Sequence, residues 1–167
     1  ILPACDSLMR LQENIRERFP DVDVMRSIPI APAGRGGEVP SLELAGMFAL
    51  VSALLLTDTM MLPASSSDAA EDQPVKGFVG ITGHTCDWEI AREMVAGSPI
   101  PVILAGGLSP ENVHEAILAT RPAGVDSCTA THARDAGGAP VRFQKDMARV
   151  RRFIEEARRA KDAAPAP

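Results

Sequence analysis

The sequence is short of cysteine, of basic charge and of long apolar runs, and each shortage excludes a class of protein. Its three cysteines are odd in number and show no Cys-x-x-Cys spacing, which argues against a disulfide framework or a zinc site and favours reduced thiols in the cytoplasm. A formal net charge of −5 leaves no basic face for nucleic-acid phosphates. The longest apolar stretch, 42–56, is interrupted by Glu43, Gly46 and Ser52 and is too short to span a bilayer. We therefore expect neither a nucleic acid nor a membrane as a partner.

The composition that remains is that of a globular α/β domain. Hydrophobic residues make up 46% of the chain and charged residues 23%, which is enough to bury a core. The pattern predicts one domain over 1–160, in which a helix precedes four strand–helix units, and a disordered tail over 161–167. The first helix is expected to bury Leu8, Leu11 and Ile15. The predicted strands lie at 23–30, 53–58, 101–104 and 124–129, and the predicted helices at 6–19, 41–50, 87–96, 109–120 and 144–160.

Polar residues or glycines stand where the predicted strands end. Asp58 closes the strand at 53–58, Gly106 and Gly107 follow the strand at 101–104, and Asp126 lies in the strand at 124–129. The carboxyl ends of parallel strands form the ligand-binding edge in open α/β sheets and in barrels. The sequence therefore predicts a binding site at this edge.

The glycine pair opens a helix in a way that suits an anion. Ser109, Pro110 and Glu111 occupy the positions of an N-cap, N1 and N2. The helix would then direct free N–H groups and the positive end of its dipole at a phosphate above Gly106 and Gly107. A corner where helix and strand pack closely needs the same two glycines. Both interpretations stand for the pair taken alone.

Four motifs in a fixed order resemble the phosphoribosylanthranilate isomerase family of tryptophan biosynthesis. They are the strand at 54–59, the glycine segment at 80–88, the block at 104–113 and the strand at 124–126. The resemblance implies a (βα)8 barrel of the TIM type. Such a barrel needs eight strands and about 250 residues, so we expect this chain to hold only the last four strands, as the C-terminal part of the barrel.

The resemblance also implies a reaction. It is an Amadori rearrangement, which converts N-(5-phosphoribosyl)anthranilate into a 1-deoxyribulose 5-phosphate product, with no cofactor and no metal. The partners implied are a small phosphosugar substrate and either a second copy of the chain, as a homodimer, or a missing N-terminal half-barrel. The cysteine base on the family's first strand and the arginine after its second strand have no counterpart here. The chain alone is therefore expected to be inactive.

Residue roles follow from the same resemblance. Asp58 matches the general acid, and Asp126, Thr82 and Gly83 match residues that face the substrate. For Asp58 the alternative is a turn cap, and for Asp126 it is a structural hydrogen bond to loop amides. The phosphate would be held by backbone N–H groups of two turns, formed by Ala105, Gly106 and Gly107 and by Cys128, Thr129 and Ala130.

The chain departs from the family pattern beside this second turn. Ala130 stands where the family usually has glycine, His132 stands where it has an acidic residue, and a short Gly-x-Lys-Asp motif is stretched over 138–146. These changes favour a divergent TIM-barrel paralogue that binds another phosphosugar, or a non-catalytic binding protein. Arg149 belongs to a run of basic residues that is typical of a solvated helix face.

Overall fold

The computed structural model describes residues 2–60 and 84–163. The helices are α1 (Leu2–Arg18), α2 (Ser41–Ala49), α3 (Trp88–Gly97), α4 (Val113–Thr120) and α5 (Met147–Ala163), with short 3-10 turns at Gly36–Glu38 and Thr129–Thr131. The strands are β1 (Met25–Ile30), β2 (Leu54–Thr59), β3 (Val102–Leu104), β4 (Gly124–Val125), β5 (His132–Arg134) and β6 (Pro140–Lys145). Among the described residues, none of the helices is both long and apolar enough to cross a membrane.

Strands β1 to β4 form one parallel sheet in chain order. This arrangement confirms the predicted α/β fold with a parallel sheet. Strand β2 pairs directly with β3, because Leu55 lies opposite Val102 and Leu56 lies opposite Ile103. Strands β2 and β3 are therefore neighbours in the sheet.

Alternate side chains of β2 point to two different environments, as strand geometry requires. Leu55, Thr57 and Thr59 are fully buried, whereas Leu54 and Asp58 are only half-buried. The fully buried face packs into the hydrophobic core together with the helices. The opposite face of the sheet is the one that carries Asp58.

Helix α1 packs Leu8 against the core as predicted, but its buried stripe is rotated away from Leu11. It begins at Leu2, ahead of the expected start at residue 6, and Leu11 is 54% exposed. The buried positions are Cys5 and Gln12. The Gln12 side-chain amide donates to the Val51 carbonyl at 3.3 Å and to Ser52 Oγ at 2.9 Å. A polar contact therefore turns the helix so that Leu11 faces outwards.

A β-hairpin occupies the stretch before the last helix, which the sequence did not predict. Strands β5 and β6 pair antiparallel, and Asp135 Oδ1 closes the turn by accepting from the amides of Gly137 and Ala139, each at 2.9 Å. Helix α5 consequently begins at Met147 instead of 144. It extends to Ala163, so the first three residues of the predicted tail are helical.

Candidate active site

The sheet register brings the two predicted carboxylates to one level. Leu56 pairs with Ile103, and Ile103 pairs with Gly124, so these three residues share a face. Two residues further along their strands lie Asp58, Ala105 and Asp126. Because the side-chain period of a strand is two, Asp58 and Asp126 point from the same face.

A cavity of about 80 Å³ lies at this edge of the sheet. Its lining unites the predicted acid with both predicted phosphate turns. The lining residues are Asp58, Ala105, Gly106, Gly107, Leu108, Asp126, Ser127, Cys128, Thr129 and Ala130. The other predicted substrate contacts, Thr82 and Gly83, lie outside the described residues.

Burial shifts the proton equilibrium of Asp58. Partial removal from water raises the pKa of its carboxyl above the usual range, and the nearby carboxylate of Asp126 raises it further. The Thr59 amide donates to Asp58 Oδ1 at 2.8 Å, which opposes the shift without cancelling it. A carboxyl group with a raised pKa holds its proton closer to neutral pH, as a general acid requires.

The Ala105 amide is already engaged. Thr57 Oγ1 accepts from the Ala105 N–H and donates to the Ala105 carbonyl, each at 2.8 Å. The Cys86 thiol also donates to this carbonyl at 3.4 Å. The structure therefore gives the Ala105 amide a structural partner in place of the predicted phosphate, although the residue lines the cavity.

The glycine pair is a packing corner that also borders the cavity, and its binding of an anion stays a prediction. Gly106 and Gly107 have φ of +101° and +64°, the left-handed region that favours glycine. A Cβ at Gly107 would lie less than 3.0 Å from the backbone of His84 and Thr85, and one at Gly106 would collide with Thr59 Oγ1. The pair is thus a packing corner on one side and a wall of the cavity on the other.

Ser109 caps the turn after the glycine pair, as predicted. Ser109 Oγ accepts from the Glu111 amide at 3.1 Å, and Asn112 Oδ1 accepts from the Ser109 amide at 2.8 Å. This reciprocal pair has the geometry of a capping box, with Asn112 in the place of the usual Glu or Gln. Regular helix α4 begins only at Val113.

Two cations hold the second turn by its carbonyl groups. Lys145 Nζ donates to the Cys128 carbonyl, and Arg149 Nε donates to the Ala130 carbonyl, each at 2.7 Å. In a trans peptide the C=O and N–H point in opposite directions, so the Thr129 amide points away from Lys145. The predicted solvated position of Arg149 is wrong, because its guanidinium also bonds Glu111 at 3.0 Å.

Ala130 adapts to its position without backbone strain. Among the described residues other than glycine, positive φ occurs only at Arg121 and Phe143. Ala130 lies inside the 3-10 turn and keeps a negative φ. Its methyl group therefore does not require the conformation that only glycine adopts readily.

The three cysteines differ in exposure. Cys5 and Cys86 are buried and Cys128 is exposed. Burial raises the pKa of the Cys86 thiol to about 12, so this group stays protonated and does not act as a base at neutral pH. Among the described residues, no group of three or more His, Cys, Asp and Glu side chains is placed to hold a metal ion.

Sequence reasoning missed Lys145 and Arg149 as partners of the turn. For Lys145 a signal was present, since it precedes Asp146 as the lysine does in the shorter Gly-x-Lys-Asp motif. Arg149 carried no separate signal, because it stands among other basic residues of the same helix.

The fold and the cavity together define an α/β protein with a parallel sheet and a cavity at the carboxyl ends of its strands. Two carboxylates, Asp58 and Asp126, lie in the same cavity as two backbone turns. A model of the N-(5'-phosphoribosyl)anthranilate (PRA) isomerase family matches residues 53–156. The chain belongs to this family.

Individual relatives are similar over most of this chain. The N-(5'-phosphoribosyl)anthranilate isomerase of Methanocella arvoryzae is 38% identical over 146 residues, which are 87% of this chain and 55% of that protein. Isomerase 1 of Methanosarcina mazei is 32% identical over 149 residues, with shares of 87% and 56%. The crystal structure of the Thermotoga maritima isomerase aligns with a TM-score of 0.56 at 25% identity, covering 90% of this chain and 57% of that one. The chain thus spans about half the length of these relatives.

Proposed function

We propose that this chain is the C-terminal part of a TIM-type (βα)8 barrel that isomerises N-(5'-phosphoribosyl)anthranilate by an Amadori rearrangement. The observation that carries the proposal is the cavity shared by Asp58, Asp126 and the turns at 105–107 and 128–130. It has carboxylates at one end and backbone amides backed by cations at the other. A phosphosugar substrate matches this arrangement, because its sugar exchanges protons and its phosphate group carries the negative charge.

Asp58 is the general acid of the proposed reaction. It gives its proton to the ribose ring oxygen, the bond between that oxygen and C1 breaks, and the nitrogen lone pair forms an iminium with C1. Removal of the C2 proton then gives an enolamine, which becomes the ketone of the product. The raised pKa of Asp58 supports the first step.

The turn at 128–130 and the glycine pair form the proposed phosphate site. In the described part of the chain, the amides of Gly106 and Gly107 make no hydrogen bond to the protein. The cations of Lys145 and Arg149 lie behind the second turn and add positive potential at this end. Ala105 contributes to the wall, since its amide is bonded to Thr57.

The remainder of the barrel is the proposed partner. Among the described strands, β1 and β4 form the edges of the sheet, and exposed strand edges invite pairing with another strand. The aligned part of this chain covers about 55% of the length of the Methanocella arvoryzae relative. The proposed N-terminal half would account for the remainder and would supply the base that removes the C2 proton. A second copy of this chain is the alternative partner, and one structure of the Thermotoga maritima isomerase is described as monomers generated from a dimeric enzyme.

The acid is tested by Asp58→Asn in the protein that carries the complete barrel. Asparagine keeps the size of the side chain but has no proton to give, so we expect kcat to fall about 100-fold with little change in KM. The matched control is Asp162→Asn on α5, which should leave both constants unchanged. An unchanged kcat in Asp58→Asn would favour the divergent paralogue. Turnover by residues 1–167 alone, at a rate near that of the family enzymes, would refute the half-barrel.

The phosphate site is tested on the chain itself. Inorganic phosphate should protect the amides of 106–107 and 128–130 from hydrogen exchange. Ala130→Asp should abolish this protection, because it sets a carboxylate against the anion at a lining position of negative φ, whereas Gly97→Asp at the end of α3 should not. Protection that maps to 32–40, or that is absent, would contradict a phosphosugar ligand.

A further inference from the structure

The cavity contains a thiol that the proposed reaction does not use. Cys128 is exposed and lines the cavity at its anion-binding end. Cys5 and Cys86 are only 4% and 1% exposed. Cys128 is therefore the thiol that a reagent in solution can reach.

An imidazole stands beside this thiol. His132 Nε2 lies 3.9 Å from Cys128 Sγ, within the range of a sulfur hydrogen bond. The His132 residue is 6% exposed, and its Nδ1 has no hydrogen-bond partner among the described residues. The thiol is thus the polar side-chain group to which this buried ring is directed.

The surroundings keep the imidazole neutral. Burial lowers the pKa of His132, and the positive charges of Lys145 and Arg142 lower it further. The Nε2 atom of a neutral imidazole that faces a thiol is able to accept the thiol proton. Lys145 Nζ is bonded to the Cys128 carbonyl itself at 2.7 Å.

We propose that Cys128 and His132 form a reactive thiol–imidazole pair, and that modification of Cys128 by a peroxide or an alkylating electrophile closes the anion-binding end of the cavity. With a peroxide, His132 takes the thiol proton and the sulfur attacks one peroxide oxygen. The O–O bond breaks, the sulfur is oxidised by two electrons to a sulfenic acid, and the leaving oxygen is reduced and receives the proton. The closure of the cavity rests on the proposed phosphate site, whereas the reactivity of the pair does not.

The pair is tested by timed alkylation of the folded chain with iodoacetamide at pH 7, followed by mass spectrometry of each cysteine peptide. We expect Cys128 to react at least tenfold faster than Cys5 and Cys86, and faster than free glutathione under the same conditions. His132→Gln should slow the reaction about tenfold, because glutamine cannot accept the thiol proton. The matched control is His114→Gln, whose side chain contacts Glu156 and Arg159 of α5, and it should leave the rate unchanged.

A second variant covers the case in which His132→Gln does not fold. Arg142→Gln removes an exposed positive charge of the hairpin that lowers the pKa of His132, so the imidazole becomes a stronger base and alkylation of Cys128 should speed up about two- to threefold. Dimedone trapping after treatment with hydrogen peroxide should label Cys128 and neither buried cysteine. Alkylation of Cys128 no faster than that of glutathione, or a rate unchanged in folded His132→Gln, would overturn the pair.

The effect of inorganic phosphate on the alkylation rate distinguishes a failure of the thiol–imidazole pair from a failure of the proposed phosphate site. Saturating phosphate should slow alkylation of Cys128 if the anion occupies the same end of the cavity. Fast alkylation that depends on His132 but not on phosphate would support the pair and contradict the phosphate site. Slowing by phosphate without any effect of folded His132→Gln would support the phosphate site and contradict the pair.

Discussion

Replacing Gly107 by alanine should destabilise the protein by far more than the usual cost of a left-handed alanine. Gly107 has φ of +64°, where an L-residue costs about 1–2 kcal/mol. In addition, the new Cβ would lie less than 3.0 Å from the backbone atoms of His84 and Thr85. Backbone is harder to displace than the end of a side chain, so the collision adds a second cost.

The size of that second cost follows from what holds the neighbouring backbone. Thr59 Oγ1 donates to the His84 carbonyl at 2.8 Å, and such a bond contributes about 1 kcal/mol. Overpacking in a filled site costs about 1–3 kcal/mol. We therefore expect Gly107→Ala to lower the free energy of unfolding by about 3–6 kcal/mol in total.

Gly138→Ala is the matched control. Gly138 has φ of +85°, but an added Cβ would meet no atom within 4 Å. It should therefore cost only the conformational part, about 1–2 kcal/mol. The assay is urea unfolding followed by circular dichroism and by the fluorescence of Trp88. Equal losses in the two variants would refute the close approach of 84–85 to the glycine pair.

Two further predictions concern the same edge of the sheet. Burial and Asp126 raise the pKa of the Asp58 carboxyl in the folded protein. The stabilisation from its protonated form is therefore fully present below the ordinary pKa of 3.8 and is lost as the pH rises through the pKa of the folded state. Asp58→Asn should thus unfold at higher urea than the parent at pH 7 and at similar urea at pH 3, and a less stable variant at pH 7 would contradict the raised pKa. Thr57→Val removes both Thr57 bonds to Ala105 and should cost about 2–3 kcal/mol in urea unfolding. Thr120→Val, equally buried but bonded only to a helix carbonyl, should cost far less, and similar losses would argue against the structural role of Thr57.

The sequence predicts the parallel sheet and the composition of the cavity well, for a physical reason. Apolar runs such as 54–56 have few arrangements other than buried strands, and parallel strands bring their carboxyl ends to one edge. The positions of Asp58 and Asp126 then follow from the register alone. Their chemical roles remain predictions, because a register places carboxylates without showing what they bind.

The features that the sequence did not predict depend on contacts between distant residues. The hairpin strand β6 is mostly exposed, so it lacks the alternation of apolar and polar residues that marks a strand. Its formation depends on the turn around Asp135 and on its pairing with β5. In the same way, the orientation of α1 is set by Gln12 and the backbone near Val51, 39 residues away in the chain.

The hairpin is closed at its base, and this affects how the protein could have changed during evolution. The Asp146 amide donates to the Thr131 carbonyl at 3.0 Å, and His132 pairs with Lys145, so the chain returns beside the point from which it departs. The two ends of the hairpin therefore stay close together, however many residues lie between them. Since the entropy of closing a loop grows only logarithmically with its length, residues can be gained here without altering the sheet. Residues inserted within the hairpin therefore leave His132 and Lys145 paired beside the turn at 128–130.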